Sequence, residues 1–253
     1  LIGLSIDGLS AVHNRYRISG NGNPTFEKVV KALELLKKNE VEFNTLTVVN
    51  DQNWQKGRET YQALKQLGSR YMQFIPIVEL HPNTAEVTDF SVPPQGLGQF
   101  LFDVFQEWHS YDVGKIYVST FDNLLGQWLG YPSTTCVHQP TCGQSLVTEA
   151  NGDVYACDHF VYPEYKIGTL NQQSLAEIVA STKQQQFGLD KSQKLTTLCK
   201  RCEFKKLCNG GCPKHRFIPV ENDPNLHNYL CPSYRYFFEK TMPYMQEMAR
   251  KIR

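Results

Sequence analysis

The chain has 253 residues, 41% hydrophobic and 20% charged, with 26 lysines and arginines against 25 acidic residues and a net charge of +1. A chain of this length buries roughly 70–75% of its unfolded surface, so it can hold a sizeable core. The charge balance argues against a protein built to coat nucleic acid or an anionic membrane, and no apolar run approaches the ~20 residues of a bilayer span. These features point to a soluble, cytoplasmic protein with neither nucleic acid nor membrane as partner.

Leu1–Ile6 is an apolar run that reads as a buried strand, stopped by the turn signal Asp7-Gly8. Because the sequence opens inside such a strand, further residues are expected upstream. His13, Arg15 and Arg17, taken singly, read as a solvated loop. Pro24 then stands near the start of a helix with Phe26, Val29, Val30, Leu33, Leu35 and Leu36 at helical spacing, ending at Lys37-Lys38-Asn39. A strand is predicted over Phe43–Val49, a helix over Gln55–Leu67 closed by Gly68, and a strand over Met72–Val78. A polar loop follows over His81–Pro94, then a helix over Gly98–His109 and a short strand over Ile116–Phe121. Strand and helix alternate as in a parallel α/β sheet, and the connections exceed the dozen residues that a crossover needs. Three or four such units suit part of an open or partial barrel, whose ligands lie at the carboxyl ends of the strands. Ser5, Asp7 and Pro76–Glu79 occupy that edge.

All eight cysteines fall between Cys136 and Cys231, and residues 1–135 have none. A secreted scaffold would spread its disulfides through a small domain, so metal or cluster ligation is the leading reading. The order is Cys136-x5-Cys142-x9-Gly152-x4-Cys157, then Cys199-x2-Cys202-x5-Cys208-x3-Cys212, then Cys231. Eight thiolates make two sets of four. A four-cysteine zinc module ordinarily shows two CxxC knuckles, and only Cys199–Cys202 forms one. Irregular spacings suit iron–sulfur clusters wrapped by loops from several directions. Lys200, Arg201, Lys205, Lys206, Lys214 and Arg216 crowd the same region, with the sign that stabilises thiolates. Cys208-x3-Cys212 begins like a CxxxCxxC triad, but position 215 is His215. Both sets therefore read as closed, for electron transfer or structural support. The end of the chain, Tyr234–Ile252, reads as an amphipathic helix kinked or broken at Pro243 and packed back on the barrel.

This cysteine array resembles the SPASM domain of radical S-adenosylmethionine (radical SAM) enzymes. Cys157-Asp158-His159-Phe160-Val161-Tyr162, Gln73–Glu79 and the opening Ser5-Ile6-Asp7-Gly8 with His13 and Arg17 are similar to the anaerobic sulfatase-maturating enzymes within that group. The resemblance implies part of an open (β/α)6 radical SAM barrel over residues 1–130, entered at its fourth strand. It implies an irregular, cysteine-rich SPASM iron–sulfur domain over 131–233 and a C-terminal helix over 234–253. By the same resemblance Cys136, Cys142, Cys157 and Cys212 would hold one auxiliary 4Fe-4S cluster, and Cys199, Cys202, Cys208 and Cys231 a second. Ser5 and Arg17 would contact S-adenosylmethionine, with Val78 beside its adenine. A third cluster belongs to a CxxxCxxC loop that residues 1–253 do not contain, so this chain alone is expected to be inactive.

The implied reaction is oxidation of a cysteine or serine in an unfolded sulfatase segment to formylglycine, with flavodoxin or ferredoxin as electron donor. Asp158 matches the general base. An ordinary carboxylate is a weak base toward an intact thiol, but a radical on the neighbouring carbon eases loss of that proton, so position decides. With both sets complete in cysteine, His138 and His159 read as packing or hydrogen-bonding residues. Two alternatives remain at this stage: another SPASM peptide modification, such as thioether formation, and a non-catalytic zinc-binding interaction module.

Overall fold

The computed structural model describes residues 2–252, so Leu1, read as part of the first strand, lies outside the described residues. The chain divides into two compact units, one of residues 1–131 and 232–253, the other of residues 132–231.

The first unit is built on β1 (Ile2–Ser5), β2 (Phe43–Val49), β3 (Tyr71–Pro76) and β4 (Tyr117–Val118). They form one sheet in the order β1-β2-β3-β4, every neighbour parallel. Phe43, Thr45, Thr47 and Val49 of β2 are buried and the residues between them are half-buried, the period of two that a strand imposes. The connecting helices are α1 (Ser10–Tyr16), α2 (Phe26–Lys38), α3 (Gly57–Gln66) and α4 (Gly96–Tyr111), with α5 (Ser119–Trp128) after β4.

Within the described residues β1 pairs with β2 on one side and is largely exposed. Two sequence expectations are corrected here. His13 and Arg17 are not in a solvated loop: His13 lies fully buried in α1, and Arg17 caps that helix and is bonded to Asp7, whereas Arg15 is exposed. The strand expected over Ile116–Phe121 is only two residues long. Tyr117 and Val118 pair with Tyr71 and Met72, and the chain then turns into α5, which puts Phe121 into the core.

The C-terminal helix (Cys231–Ile252) runs as one element with Pro243 inside it and belongs to the first unit from Pro232 onward. It buries Phe237, Phe238 and Met245. Phe237 stacks on Phe121 at 5.7 Å and meets Phe105 edge-on at 6.4 Å. Each such ring adds about 1.5–3 kcal/mol of burial. Gly98 permits the approach of this helix to α4: a Cβ there would lie 2.4 Å from the Ser233 carbonyl oxygen.

The second unit is mostly loops. Its elements are β5 (Val147–Thr148), β6 (Asp153–Tyr155) and β7 (Lys166–Thr169) in an antiparallel sheet, then α6 (Leu175–Val179), α7 (Thr182–Gln193), α8 (Thr197–Arg201), α9 (Lys205–Cys208), and the pair β8 (Arg216–Ile218) and β9 (His227–Asn228). Val154, Ala156, Ile167 and Ile178 form a small core under Leu146 and Phe187. So small a core leaves much of the unit's cohesion to polar contacts made around the cysteines.

Candidate cluster sites and the sheet edge

Local sequence sets each cysteine in place. Thr196 caps α8, its Oγ1 accepting the backbone N–H of Cys199 at 3.2 Å, which fixes Cys199 in the first turn and Cys202 just past the last. Cys208 ends α9, and the next three residues, Asn209, Gly210 and Gly211, all have positive φ. That left-handed run turns the chain so that Cys212 follows at once. It suits glycine, and at Gly210 a Cβ would also lie 2.4 Å from Leu195 Cδ2 and 2.7 Å from Arg216 Nη2. Asn209 anchors the turn through Nδ2 to the His138 carbonyl at 2.8 Å.

One face of α7 holds the segment of the first two cysteines. Gln184, Gly188 and Lys191 are its buried residues, spaced at four and three as a helix face requires. Gln184 Nε2 donates to the Gly143 carbonyl, Cys142 N donates to the Gly188 carbonyl, and Lys191 Nζ donates to the carbonyls of Cys136 and Val137 at 2.5 and 3.0 Å. A Cβ on Gly188 would sit 2.8 Å from the Cys142 carbonyl oxygen.

The eight thiols are all free. Cys212 lies within electrostatic reach of Cys136, Cys142 and Cys157, and Cys208 within reach of Cys199, Cys202 and Cys231. Burial pushes the Cys157 and Cys208 thiols up to about 12 and Cys212 up to about 11. Without metal these sulfurs hold their protons, so metal binding must release them. Among the described residues, no three His, Cys, Asp or Glu side chains close tightly enough to hold a single metal ion.

Asp158 is exposed at the start of a one-turn 3-10 helix over 158–160. Its Oδ1 accepts the Cys157 thiol at 3.1 Å. His159 Nδ1 lies 3.5 Å from Cys212 Sγ, and His227 Nδ1 lies 3.6 Å from Cys199 Sγ and 3.0 Å from Thr196 Oγ1. His138 is buried, 3.5 Å from the Cys208 carbonyl, and burial lowers it to about 4. The sequence reading missed Lys191 and His227. A lysine in a glutamine-rich helix and a histidine in a polar loop give no signal of sulfur beside them.

In the first unit, Ser5 ends β1 and is exposed, whereas Val78, two residues past β3, is only 3% exposed. Arg17 grips the buried Asp7 at 2.7 and 3.2 Å, and Asp7 Oδ1 also accepts the backbone N–H of Val48 at 2.9 Å. Ser5, Arg17 and Val78 thus lie toward the carboxyl edge of the sheet.

A parallel α/β unit together with a cysteine-rich unit of this kind defines the radical SAM class with a SPASM extension. Residues 136–203 match the SPASM iron–sulfur cluster-binding domain. The chain is 41% identical to a serine-type anaerobic sulfatase-maturating enzyme of Bacteroides thetaiotaomicron, over all of this chain and 64% of that protein. It is 33% identical to a cysteine-type enzyme of Clostridium perfringens, over all of this chain and 68% of the relative. The solved structure of native anSMEcpe with bound AdoMet and Cp18Cys peptide superposes with a TM-score of 0.86 at 32% identity, covering 99% of this chain and 70% of that one. The chain belongs to the anaerobic sulfatase-maturating enzyme family. It spans 60–64% of the length of the Bacteroides and Klebsiella relatives it matches. Among the described residues no helix is long and apolar enough to cross a membrane.

Proposed function

We propose that the protein carrying this chain oxidises a cysteine or serine in an unfolded sulfatase segment to formylglycine, in the reducing cytoplasm, with flavodoxin or ferredoxin as electron donor. The observation that supports this reading is the Asp158 carboxylate accepting the Cys157 thiol at 3.1 Å, in a cysteine-rich unit that matches the SPASM domain. Donor chemistry fits iron–sulfur ligation: both proposed sets are thiols alone, and buried Lys191 and half-buried Arg216 offset the charge that their ionisation creates.

On this reading Cys136, Cys142, Cys157 and Cys212 hold one 4Fe-4S cluster, and Cys199, Cys202, Cys208 and Cys231 the other. Ser5, Arg17 and Val78 hold S-adenosylmethionine, Arg17 being preset by its ion pair with Asp7. When bound, the clusters and S-adenosylmethionine supply electron transfer and abstraction of a hydrogen atom from the substrate Cβ. What the polypeptide supplies is placement and a proton acceptor. Asp158 takes the proton of the substrate thiol or hydroxyl as the remaining electron leaves. A serine then becomes the aldehyde directly, and a cysteine becomes a thioaldehyde that water converts to the aldehyde with loss of hydrogen sulfide. The activity belongs to the whole protein, since the CxxxCxxC loop is not among residues 1–253.

Mass spectrometry of a sulfatase-derived peptide incubated anaerobically with the full-length protein and a reductant tests the reading. An aldehyde in place of the thiol or hydroxyl supports it. A thioether, or unmodified peptide from fully iron-loaded protein, overturns it.

A further inference from the structure

Two cations, buried Lys191 and half-buried Arg216, lie among the cysteines and, among the described residues, have no carboxylate to pair them. Lys191 is 1% exposed, and Nζ is spent on two backbone carbonyls, those of Cys136 and Val137. Arg216 donates to four carbonyls, those of Lys191, Asn209, Gly210 and Gly211. The space for its guanidinium exists because position 210 lacks a side chain. Among the described residues neither cation forms an ion pair with an acidic side chain. A buried cation facing only neutral dipoles is costly, and a neutral amide would satisfy the same carbonyls at less cost. The charges gain a partner when the thiols ionise, because a 4Fe-4S core on four thiolates is formally dianionic in its oxidised state.

The two cations are not placed alike. Arg216 donates to the carbonyls of Asn209, Gly210 and Gly211, the three residues between Cys208 of one proposed set and Cys212 of the other. Lys191 donates to the carbonyls of Cys136 and Val137, at a cysteine of one set. Charge beside a cluster sets its reduction potential, since the added electron is stabilised by a nearby cation.

We infer that Arg216 is a counter-charge shared by both auxiliary clusters and raises the potential of both, while Lys191 serves the Cys136–Cys142–Cys157–Cys212 cluster alone. This inference rests on the cluster assignment proposed above. Both side chains act through the clusters and are positioning residues.

The test is an EPR-monitored redox titration of full-length, reconstituted protein, following the two signals that S-adenosylmethionine does not perturb. In Arg216→Gln the reduced-to-oxidised ratio at a fixed potential should fall about tenfold for both signals, equivalent to about 59 mV each for one electron. In Lys191→Met it should fall for one signal only. Arg216→Lys keeps the charge but loses the fork of carbonyl contacts. It should leave both potentials near those of the parent protein, and it carries the test if Arg216→Gln does not accumulate. Unmoved potentials in iron-replete Arg216→Gln, or an Arg216→Lys protein that fails as Arg216→Gln does, would reduce Arg216 to a structural tie and overturn the proposal. Parent protein that binds no iron and sulfide would overturn the cluster assignment instead.

Discussion

Cys157 donates its thiol proton to Oδ1 of Asp158, the next residue in the chain, at 3.1 Å. On the proposed assignment Cys157 ligates iron as a thiolate, and the Asp158 oxygen is then left to accept another proton. In the proposed reaction the proton acceptor is thus covalently adjacent to a ligand of the electron acceptor, so proton and electron leave the substrate toward neighbouring residues.

Asp158→Asn keeps the size of the side chain and removes the base. Iron and sulfide content should match the parent protein, while peptide oxidation falls by roughly 10²–10⁴-fold, the usual contribution of a placed base. Turnover equal to that of the parent would remove Asp158 from the mechanism.

Cys157→Ala should behave differently. Cluster binding is coupled to folding, and the second unit has only a small apolar core, so this variant should lose iron together with soluble yield. Full iron content with activity lost would make Cys157 a reactive residue and not a ligand.

His13 offers a pH test confined to the first unit. Its ring is fully buried, Nδ1 accepts the Asp7 N–H, Nε2 meets Thr25 Oγ1, and burial lowers its pKa despite the opposing pull of Asp7. The folded ring resists a proton that the unfolded one takes near pH 6.5. Its contribution to stability is therefore complete above that pH and is lost as pH falls below it. His13→Gln should flatten the acid slope of the denaturant midpoint, by about 1.4 kcal/mol per pH unit at most. Trp54, Trp108 and Trp128 all belong to the first unit, so tryptophan fluorescence reads this directly. An unchanged slope would show that His13 is not the group responsible.

Two glycines separate packing from propensity. Gly98→Ala sets a methyl 2.4 Å from the Ser233 carbonyl oxygen and should destabilise the first unit by about 1–3 kcal/mol. Gly126→Ala in α5 meets nothing within 4 Å and should stabilise it by up to about 1 kcal/mol. Equal effects in the two variants, by the same fluorescence midpoint, would contradict the close approach of α4 and the C-terminal helix.

Much of this was legible in the sequence, for identifiable reasons. The β-rich run Phe43–Val49, the alternation of strand and helix and the crossover lengths pointed to the parallel sheet of the first unit. The cysteine spacings pointed to clusters. Helix α1 was hidden because Ser10–Tyr16 is short and polar and its one buried histidine looks like a loop residue. Helix α5 was hidden because Ile116–Phe121 is rich in strand-forming residues, while pairing ends at Val118. Lys191 could not be found from its neighbours in sequence, because its partners are carbonyls 54 and 55 residues away. The division of the cysteines into two sets is likewise not given by spacing, which joins Cys212 to Cys208, whereas the proposed assignment places it with Cys136, Cys142 and Cys157.

Iron, acid-labile sulfide and zinc, measured on anaerobically purified full-length protein and on its Cys202→Ala variant, test the central claim most directly. Two four-iron clusters in this chain predict about eight iron and eight sulfide from its cysteines, about half of them lost in the variant, and no zinc. Colourless protein carrying zinc without sulfide, or a variant that keeps every iron, would contradict it.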